Sequence, residues 1–174
     1  TLDGYSREDV DAYAVESQRR ATQARDSGYF DNSVVPVKDM NGFNILEKDD
    51  YIKPNTTMDG LANLRASFEQ MGSMGYDDVV IKKYNSLEKI NHVHTAGNSS
   101  GIVDGASTVL IGSEQAGKDL GLNARGRIVA GSILASDPII MLTAPGPSAK
   151  KCLKTAGLTA TDIDLWEINE AFAA

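Results

Sequence analysis

The most informative stretch of this sequence is AGNSSGIVDGAS, residues 96–107, which consists largely of small residues. Glycine recurs at every fourth position within it, at Gly97, Gly101 and Gly105. This spacing indicates either an element whose backbone packs closely against a neighbour or a segment whose backbone approaches a ligand chain. In the second case, Ser99 or Ser100 would supply a hydroxyl to the ligand. The residue types alone leave both interpretations open.

A second informative stretch is EINEAFAA, residues 167–174, which combines two carboxylates with an amide. A strand is predicted to end here and a helix to begin at Asn169. Side chains at such junctions project into the crevice where α/β sheets bind ligands, and a fixed amide there can stabilise a developing oxyanion. The alternative is that Asn169 caps its own helix, with Glu170 favoured in the first turn by the helix dipole.

The pattern Gly97-x-Ser99-x-Gly101 matches the nucleophile motif of serine hydrolases. That chemistry needs a histidine as base and an acid that orients it. The only two histidines, His92 and His94, precede the serine on the same predicted segment and would point past it. The segment also lacks the Gly-Lys-Ser/Thr ending of a phosphate loop. A serine hydrolase and a phosphate loop are therefore disfavoured.

Metal binding and thiol chemistry find little support in the sequence. His92 and His94 share one face of a predicted strand, which is a spacing for two metal ligands, and Asp104 is the further candidate. No third ligand is compelling, however, so no metal site is predicted. Cys152, the one cysteine, lies on a predicted helix beside lysines that could make it reactive. A half-buried helical cysteine without a catalytic role is the favoured interpretation.

Composition limits the classes of function. The chain has 174 residues and a formal net charge of −7, which argues against nucleic acid or an anionic membrane as the main partner. Hydrophobic residues make up 41% of the chain, so a core can be buried. A single cysteine excludes an intrachain disulfide framework and fits a reducing compartment. We therefore expect a cytoplasmic protein.

Local signals predict a chain that mixes helices and strands. Ser6 and Asp9 have the spacing of a capping box for a helix over 7–26, and Asn41-Gly42 predicts a hairpin turn. Residues 69–76 are predicted to be irregular. Further helices are predicted over 114–120 and 148–156, and strands at 34–37, 79–81, 109–111 and 127–136.

Together, AGNSSGIVDGAS and NEAFAA resemble two motifs of the thiolase family. The stretches YSREDVDAYAVESQRRATQARDSGYFDNSVVPV at 5–37 and PGPSAKKCLKTAGLTATDID at 145–164 are similar to the same family. The resemblance implies a partial thiolase-like α/β fold. Residues 1–93 would form the inserted loop domain, and residues 94–174 would lead into the C-terminal α/β domain.

The resemblance also implies which residues form the site. Asn169 would hold a water that stabilises a thioester enolate. Glu170 would lie next to Asn169 without contacting the substrate. Lys53 would be placed to meet the phosphates of coenzyme A (CoA). The residues that contact the pantetheine arm or the acyl group would be Ala96, Ser100, Gly101, Ile102, Ala171 and Phe172.

Thiolases transfer an acyl group between CoA and a catalytic cysteine, in 3-ketoacyl-CoA cleavage or acetoacetyl-CoA synthesis. The implied parent is a homodimeric or homotetrameric acyltransferase of fatty-acid metabolism, with CoA thioesters as substrates and no separate cofactor. Cys152 does not fit the motif of the family's nucleophile, and the family's His-Pro-x-Gly segment has no match here. We therefore expect an internal fragment that is inactive by itself. A non-catalytic CoA-binding or oligomerisation module is the alternative.

Overall fold

The longest element of the computed structural model, which describes residues 1–174, is the 20-residue helix α1 (Arg7–Asp26). Ser6 caps it as predicted: its hydroxyl accepts the Asp9 amide at 3.1 Å, and the Asp9 carboxylate accepts the Ser6 amide at 2.8 Å. The two bonds satisfy donors that a helix start otherwise leaves free. The predicted boundaries 7–26 are confirmed.

The other elements are short. In chain order they are β1 (Val37–Lys38), β2 (Asn44–Leu46), α2 (Met58–Ala62), α3 (Glu69–Met71), a π-helical turn (Gly72–Tyr76), α4 (Asp77–Lys83), α5 (Glu114–Asp119), α6 (Pro145–Ala156) and a 3₁₀ turn (Ala160–Asp162). None of the helices is long and apolar enough to cross a membrane.

The only sheet is an antiparallel hairpin of β1 and β2. Gly42 has a φ of +89°, which supports the predicted turn at Asn41-Gly42 because glycine adopts positive φ without steric cost. The strand predicted at 34–37 is largely wrong, since only its last residue belongs to β1. Pro36 directly precedes the ladder, where its missing amide removes no pairing bond.

The prediction of an irregular stretch at 69–76 is confirmed in part: the residues on either side of Gly75 are helical, but Gly75 interrupts the helix with a φ of +105°. The predicted strand at 79–81 is wrong, since these residues lie inside α4. The ends of α4 explain the outcome. Acidic Asp77 and Asp78 occupy its first turn and basic Lys82 and Lys83 its last, so the charges complement the helix dipole. Here this local electrostatic preference outweighs the strand propensity of the valines and isoleucine.

The chain forms two units, which are described separately. Unit 1 contains Thr1–Gly101 together with Glu170–Ala174, and unit 2 contains Ile102–Asn169. The buried apolar core, Val10, Ala14, Leu61 and Val93, belongs to unit 1. The domain boundary predicted between residues 93 and 94 concerns the division of the family's domains, and it stays a prediction.

Unit 2 is built around α5 and α6. The Ser113 hydroxyl caps α5 by accepting the Ala116 amide at 3.1 Å, as predicted. Helix α6 begins at Pro145 rather than at residue 148, because proline suits the first helical turn, where its missing amide has no helical partner. Gly157 ends α6 in the left-handed conformation with a φ of +71°.

The strands predicted at 109–111 and 127–136 in unit 2 are not formed. Neither are the short strand predicted to end before Asn169, within a loop over 161–168, and the helix predicted from Asn169. The apolar side chains of these segments are mostly exposed, with Ile128 at 73%. A strand needs a neighbour that accepts its amides and covers its apolar face. These segments have no such neighbour within the structure.

Candidate functional site

The structure brings the two informative stretches of the sequence side by side in unit 1. Ser99 and Phe172 form an antiparallel bridge. The Ser100 amide donates to the Ala171 carbonyl at 2.9 Å, and the Ala173 amide donates to the Asn98 carbonyl at 3.1 Å. A segment near residue 100 and one near residue 172 therefore share one short ladder.

Asn98 fixes the turn that leads into this ladder. Its side chain is 3% exposed. The side-chain oxygen accepts the Thr95 amide at 2.8 Å, and the nitrogen donates to the Val93 carbonyl at 3.0 Å and to the Asp11 carboxylate at 2.8 Å. Both N–H donors and the oxygen of the amide are thus hydrogen-bonded, which is the condition under which a buried amide stabilises a fold.

Asp11 connects this turn to α1. It is 1% exposed, and its second carboxylate oxygen accepts Arg7 Nε at 2.7 Å. The Arg7 guanidinium also donates to the Leu61 and Leu64 carbonyls at 2.5 and 3.1 Å. A buried carboxylate is tolerated only when it is paired and hydrogen-bonded, and here it is both.

A cavity of about 230 Å³ opens beside the Asn98 turn, within unit 1. Its walls combine leucine side chains with polar groups, as small-molecule sites do. The cavity is lined by Gln18, Tyr51, Lys53, Thr56, Leu61, Leu64, Ala96, Gly97 and Ser99.

Two of the regularly spaced glycines pack against side chains that line this cavity. A Cβ atom on Gly97 would lie 2.4 Å from Leu61 Cδ2 and 2.6 Å from Leu64 Cδ1. A Cβ atom on Gly101 would lie 2.3 Å from the Tyr51 ring. The close-packing interpretation therefore holds at both positions. A Cβ on Gly105 would meet nothing within 4 Å.

Lys53 lies at the same cavity on a loop held by α1. Its backbone amide donates to the Gln18 side chain at 2.7 Å. Its ammonium lies 5.2 Å from the centroid of the Tyr51 ring, within the range of a cation–π contact. The exposed ammonium is free of any carboxylate partner, so it can meet an anionic ligand.

Phe172 packs in an aromatic cluster. Its ring centroid lies 4.9 Å from that of His94 and 6.1 Å from that of Phe68. Burial lowers the pKa of His94, and its Nδ1 has no hydrogen-bond partner. Burial favours the neutral imidazole here, because an apolar environment disfavours the charged form.

The histidines do not converge on one site. His92 Nε2 lies 2.9 Å from an Asp77 carboxylate oxygen, while His94 packs on Phe172. No group of three or more histidine, cysteine, aspartate or glutamate side chains is arranged to hold a metal ion.

Glu170 is held by two residues of α1. The Tyr13 hydroxyl donates to Glu170 Oε1, and the Ser17 hydroxyl donates to Oε2 at 3.3 Å. The hydrogen bond to Glu170 raises the pKa of Tyr13, because the carboxylate favours the protonated phenol. Both α1 residues were missed as site residues, although their i, i+4 spacing places two hydroxyls on one face of the helix.

The predicted site residues divide between the units. Ala96, Ser100, Gly101, Glu170, Ala171 and Phe172 belong to unit 1, and Ile102 and Asn169 to unit 2. Ala96 lines the cavity. Ser100 is exposed and takes part in the ladder through its backbone.

Ser99, rather than the predicted Ser100, lines the cavity, and its buried hydroxyl has no hydrogen-bond partner. Cys152 is half-buried on α6 in unit 2.

Comparison with known proteins gives consistent matches. Residues 3–80 match the model of the thiolase N-terminal domain, and residues 122–174 match that of the thiolase C-terminal domain. The 3-ketoacyl-CoA thiolases of Aliivibrio fischeri and Cronobacter sakazakii are 39% and 38% identical over 176 aligned residues. These alignments cover 99% of this chain and 41% of each relative.

Solved structures give the same result. The Bacillus anthracis acetyl-CoA acetyltransferase matches with a TM-score of 0.80 at 33% identity, over 99% of this chain and 39% of that one. Human mitochondrial 3-ketoacyl-CoA thiolase in complex with CoA matches with a TM-score of 0.79 at 35% identity, over 99% and 38%. The likeness confirms the predicted partial α/β fold, and the chain spans about 40% of the length of these proteins.

Proposed function

The chain belongs to the thiolase family, and on this premise we propose that it forms part of an acyltransferase that acts on 3-ketoacyl-CoA substrates. The reaction moves an acyl group between CoA and a cysteine thiol, so it proceeds in two thioester steps. The observation that carries the proposal is the ladder of Ser99 with Phe172. It joins the two motifs by which the sequence resembles the family.

The cavity is the proposed site of the pantetheine arm of CoA. Pantetheine is a narrow chain of methylenes and amides, which suits a space lined by both leucine and hydroxyl-bearing side chains. Ser99 lines this space, and its hydroxyl, which is buried without a hydrogen-bond partner, would meet an amide of the ligand by rotating toward the cavity. Ala96 forms the wall, and Ser100, Gly101 and Ile102 continue the segment.

Lys53 is the proposed partner of the CoA phosphates. An ammonium on an exposed loop binds phosphate as a point charge, and charge-assisted hydrogen bonds are stronger than neutral ones. Its position at the cavity lined by Ala96 and Ser99 supports this role.

The NEAFAA stretch is the proposed catalytic contribution of this chain. The Asn169 amide would hold a water against the developing enolate oxygen, which is how fixed donors lower the barrier of acyl transfer. Glu170 would lie next to Asn169 without contacting the substrate, and Ala171 and Phe172 would contact the acyl and pantetheine groups. In the complete enzyme, Asn169→Ala should lower turnover about 10²-fold, as the loss of one such donor does.

Cys152 is not the proposed nucleophile. It lies on α6, and its neighbour Lys151 is engaged with the Ile133 carbonyl at 3.1 Å. The nucleophile would come from the part of the thiolase sequence that this chain does not span. We therefore expect no acyl transfer by the chain alone, and a homodimeric or homotetrameric cytoplasmic enzyme as the whole protein.

The test is binding of CoA and of pantetheine to the purified chain, measured by isothermal titration calorimetry. Ala96→Phe should abolish binding of both ligands because it fills the cavity, whereas Ala12→Phe, at an exposed alanine of α1, should change neither. Lys53→Ala should weaken CoA about tenfold and leave pantetheine unchanged. Equal binding by wild type and Ala96→Phe would refute the assignment of the cavity.

The complete gene product tests the enzymatic part. Thiolysis of a 3-ketoacyl-CoA that depends on Asn169 would support the proposal. CoA binding without acyl transfer would instead support the alternative, a non-catalytic CoA-binding or oligomerisation module.

A further inference from the structure

Helix α1 contacts both sides of the ladder that forms the candidate site. On one side, Asp11 binds the Asn98 amide at 2.8 Å, and Asn98 directly precedes Ser99. On the other side, Tyr13 and Ser17 bind the two carboxylate oxygens of Glu170. Because one rigid helix holds both, it can set the position of one side against the other.

The side from Glu170 to Ala174 has few other fixed points. Its backbone is held by the amides of Ser100 and Ala173, and Phe172 packs on His94 and Phe68. It forms no helix and no longer strand. The side chain of Glu170 is therefore the polar anchor at the start of this segment.

We propose that Tyr13 and Ser17 are positioning residues, which hold Glu170 so that the 170–174 segment pairs in register with residues 98–100. The two hydroxyls lie one turn apart on α1, and each donates a hydrogen bond to a different oxygen of the carboxylate. Such an arrangement restricts the rotation of Glu170 more than one hydrogen bond would. The positioning role itself is independent of the proposed function. The catalytic role of the 170–174 segment rests on the proposed function.

Amide hydrogen exchange of the purified chain tests the proposal without any ligand. In Tyr13→Phe and in Glu170→Gln, the Ser100 and Ala173 amides should exchange about fivefold faster, because the pairing opens more often. The Thr95 amide, bound to Asn98, should exchange at the wild-type rate. Tyr29→Phe, at a tyrosine that is 74% exposed, is the matched control and should change none of the three.

Two further variants separate positioning from general destabilisation. Ser17→Ala should accelerate exchange of the same two amides, and Ser17→Thr, which keeps the hydroxyl, should restore protection. The absorbance of the phenolate gives an independent readout, with Tyr13 isolated as the difference between wild type and Tyr13→Phe. In Glu170→Gln, Tyr13 should ionise at lower pH, because the carboxylate that favours the protonated phenol is gone.

Unchanged exchange at Ser100 and Ala173 in both Tyr13→Phe and Glu170→Gln would overturn the proposal. Equal acceleration at Thr95 would also overturn it, since the effect would then be a loss of overall stability. CoA titration distinguishes this result from failure of the proposed function. If the exchange changes occur and wild type does not bind CoA, the positioning role stands and the proposed function fails.

Discussion

Residues 93–101 of unit 1 and residues 102–111 of unit 2 are adjacent in sequence, yet they differ in composition and in how they are held: the first is mostly small residues, and half of the second is Ile, Val and Leu. The first segment is fixed by Asn98, whose side chain replaces a neighbouring strand by binding two backbone groups and a carboxylate. The second has no comparable polar side chain in a network, and its Val109 and Leu110 are exposed. Buried polar side chains can fix an irregular segment, whereas an apolar strand needs a partner.

The largest expected effect is on the polar network of unit 1. Asp11→Ala leaves the Arg7 guanidinium and the Asn98 amide without their shared partner, which should lower the free energy of unfolding by about 3 kcal/mol. Chemical denaturation followed by circular dichroism measures it. Asp3→Ala, at an exposed aspartate near the same end, is the control and should have little effect. A loss no greater than that of the control would show that the network does not hold unit 1.

The second prediction compares equivalent glycines in the two segments. Gly97→Ala places a methyl group against Leu61, which is 6% exposed and has little room to move, so it should cost about 1–2 kcal/mol. Gly105→Ala meets nothing within 4 Å and should change the unfolding free energy by less than about 0.5 kcal/mol. Similar costs at both positions would contradict the difference between the segments.

The third prediction concerns pH. Burial lowers the pKa of His94 below its ordinary value of 6.5 in the folded chain, so the unfolded chain binds the proton more readily. The free energy of unfolding should therefore fall as pH decreases through about 6.5, and continue to fall until the folded pKa is reached. His94→Phe should remove this contribution. Chemical denaturation at a series of pH values, followed by circular dichroism, measures this contribution, and an equal pH dependence in wild type and His94→Phe would contradict the prediction.

The smallest stability effect is expected in the unpaired apolar segments of unit 2. Ile128→Lys should change the unfolding free energy by less than about 0.5 kcal/mol, because the side chain is already 73% exposed. The same change should reduce self-association of the chain, which exposed apolar surface favours. Light scattering coupled to size exclusion measures this. A large loss of stability would show that the segment is packed after all.

Local signals predicted the elements whose causes are local. The capping residues of α1 and α5 and the Asn41-Gly42 turn each act within a few residues, and the structure confirms all three. The predicted strands of unit 2 failed because strand formation depends on a partner rather than on the segment itself. The strand predicted at 79–81 failed because the charges at the ends of α4 favour a helix.

The two stretches of the site were predicted, but the contacts that hold them were not. Asp11 and Asn98 are separated by 87 residues, and Tyr13 and Glu170 by 157. Periodicity places Tyr13 and Ser17 on one face of α1 without indicating what that face meets. Contacts between residues so far apart in sequence form only in the tertiary fold. Patterns within ten or twenty residues of sequence do not reveal them.

Unit 1 is discontinuous in sequence, since Glu170–Ala174 returns to it after the whole of unit 2. Residues 102–169 therefore act as the tether of the ladder, and closing that loop has an entropic cost that grows with the logarithm of its flexible length. When unit 2 folds, it shortens the flexible part and makes the return of Phe172 to Ser99 easier. Folding of unit 2 thus strengthens a contact in which none of the residues of unit 2 takes part.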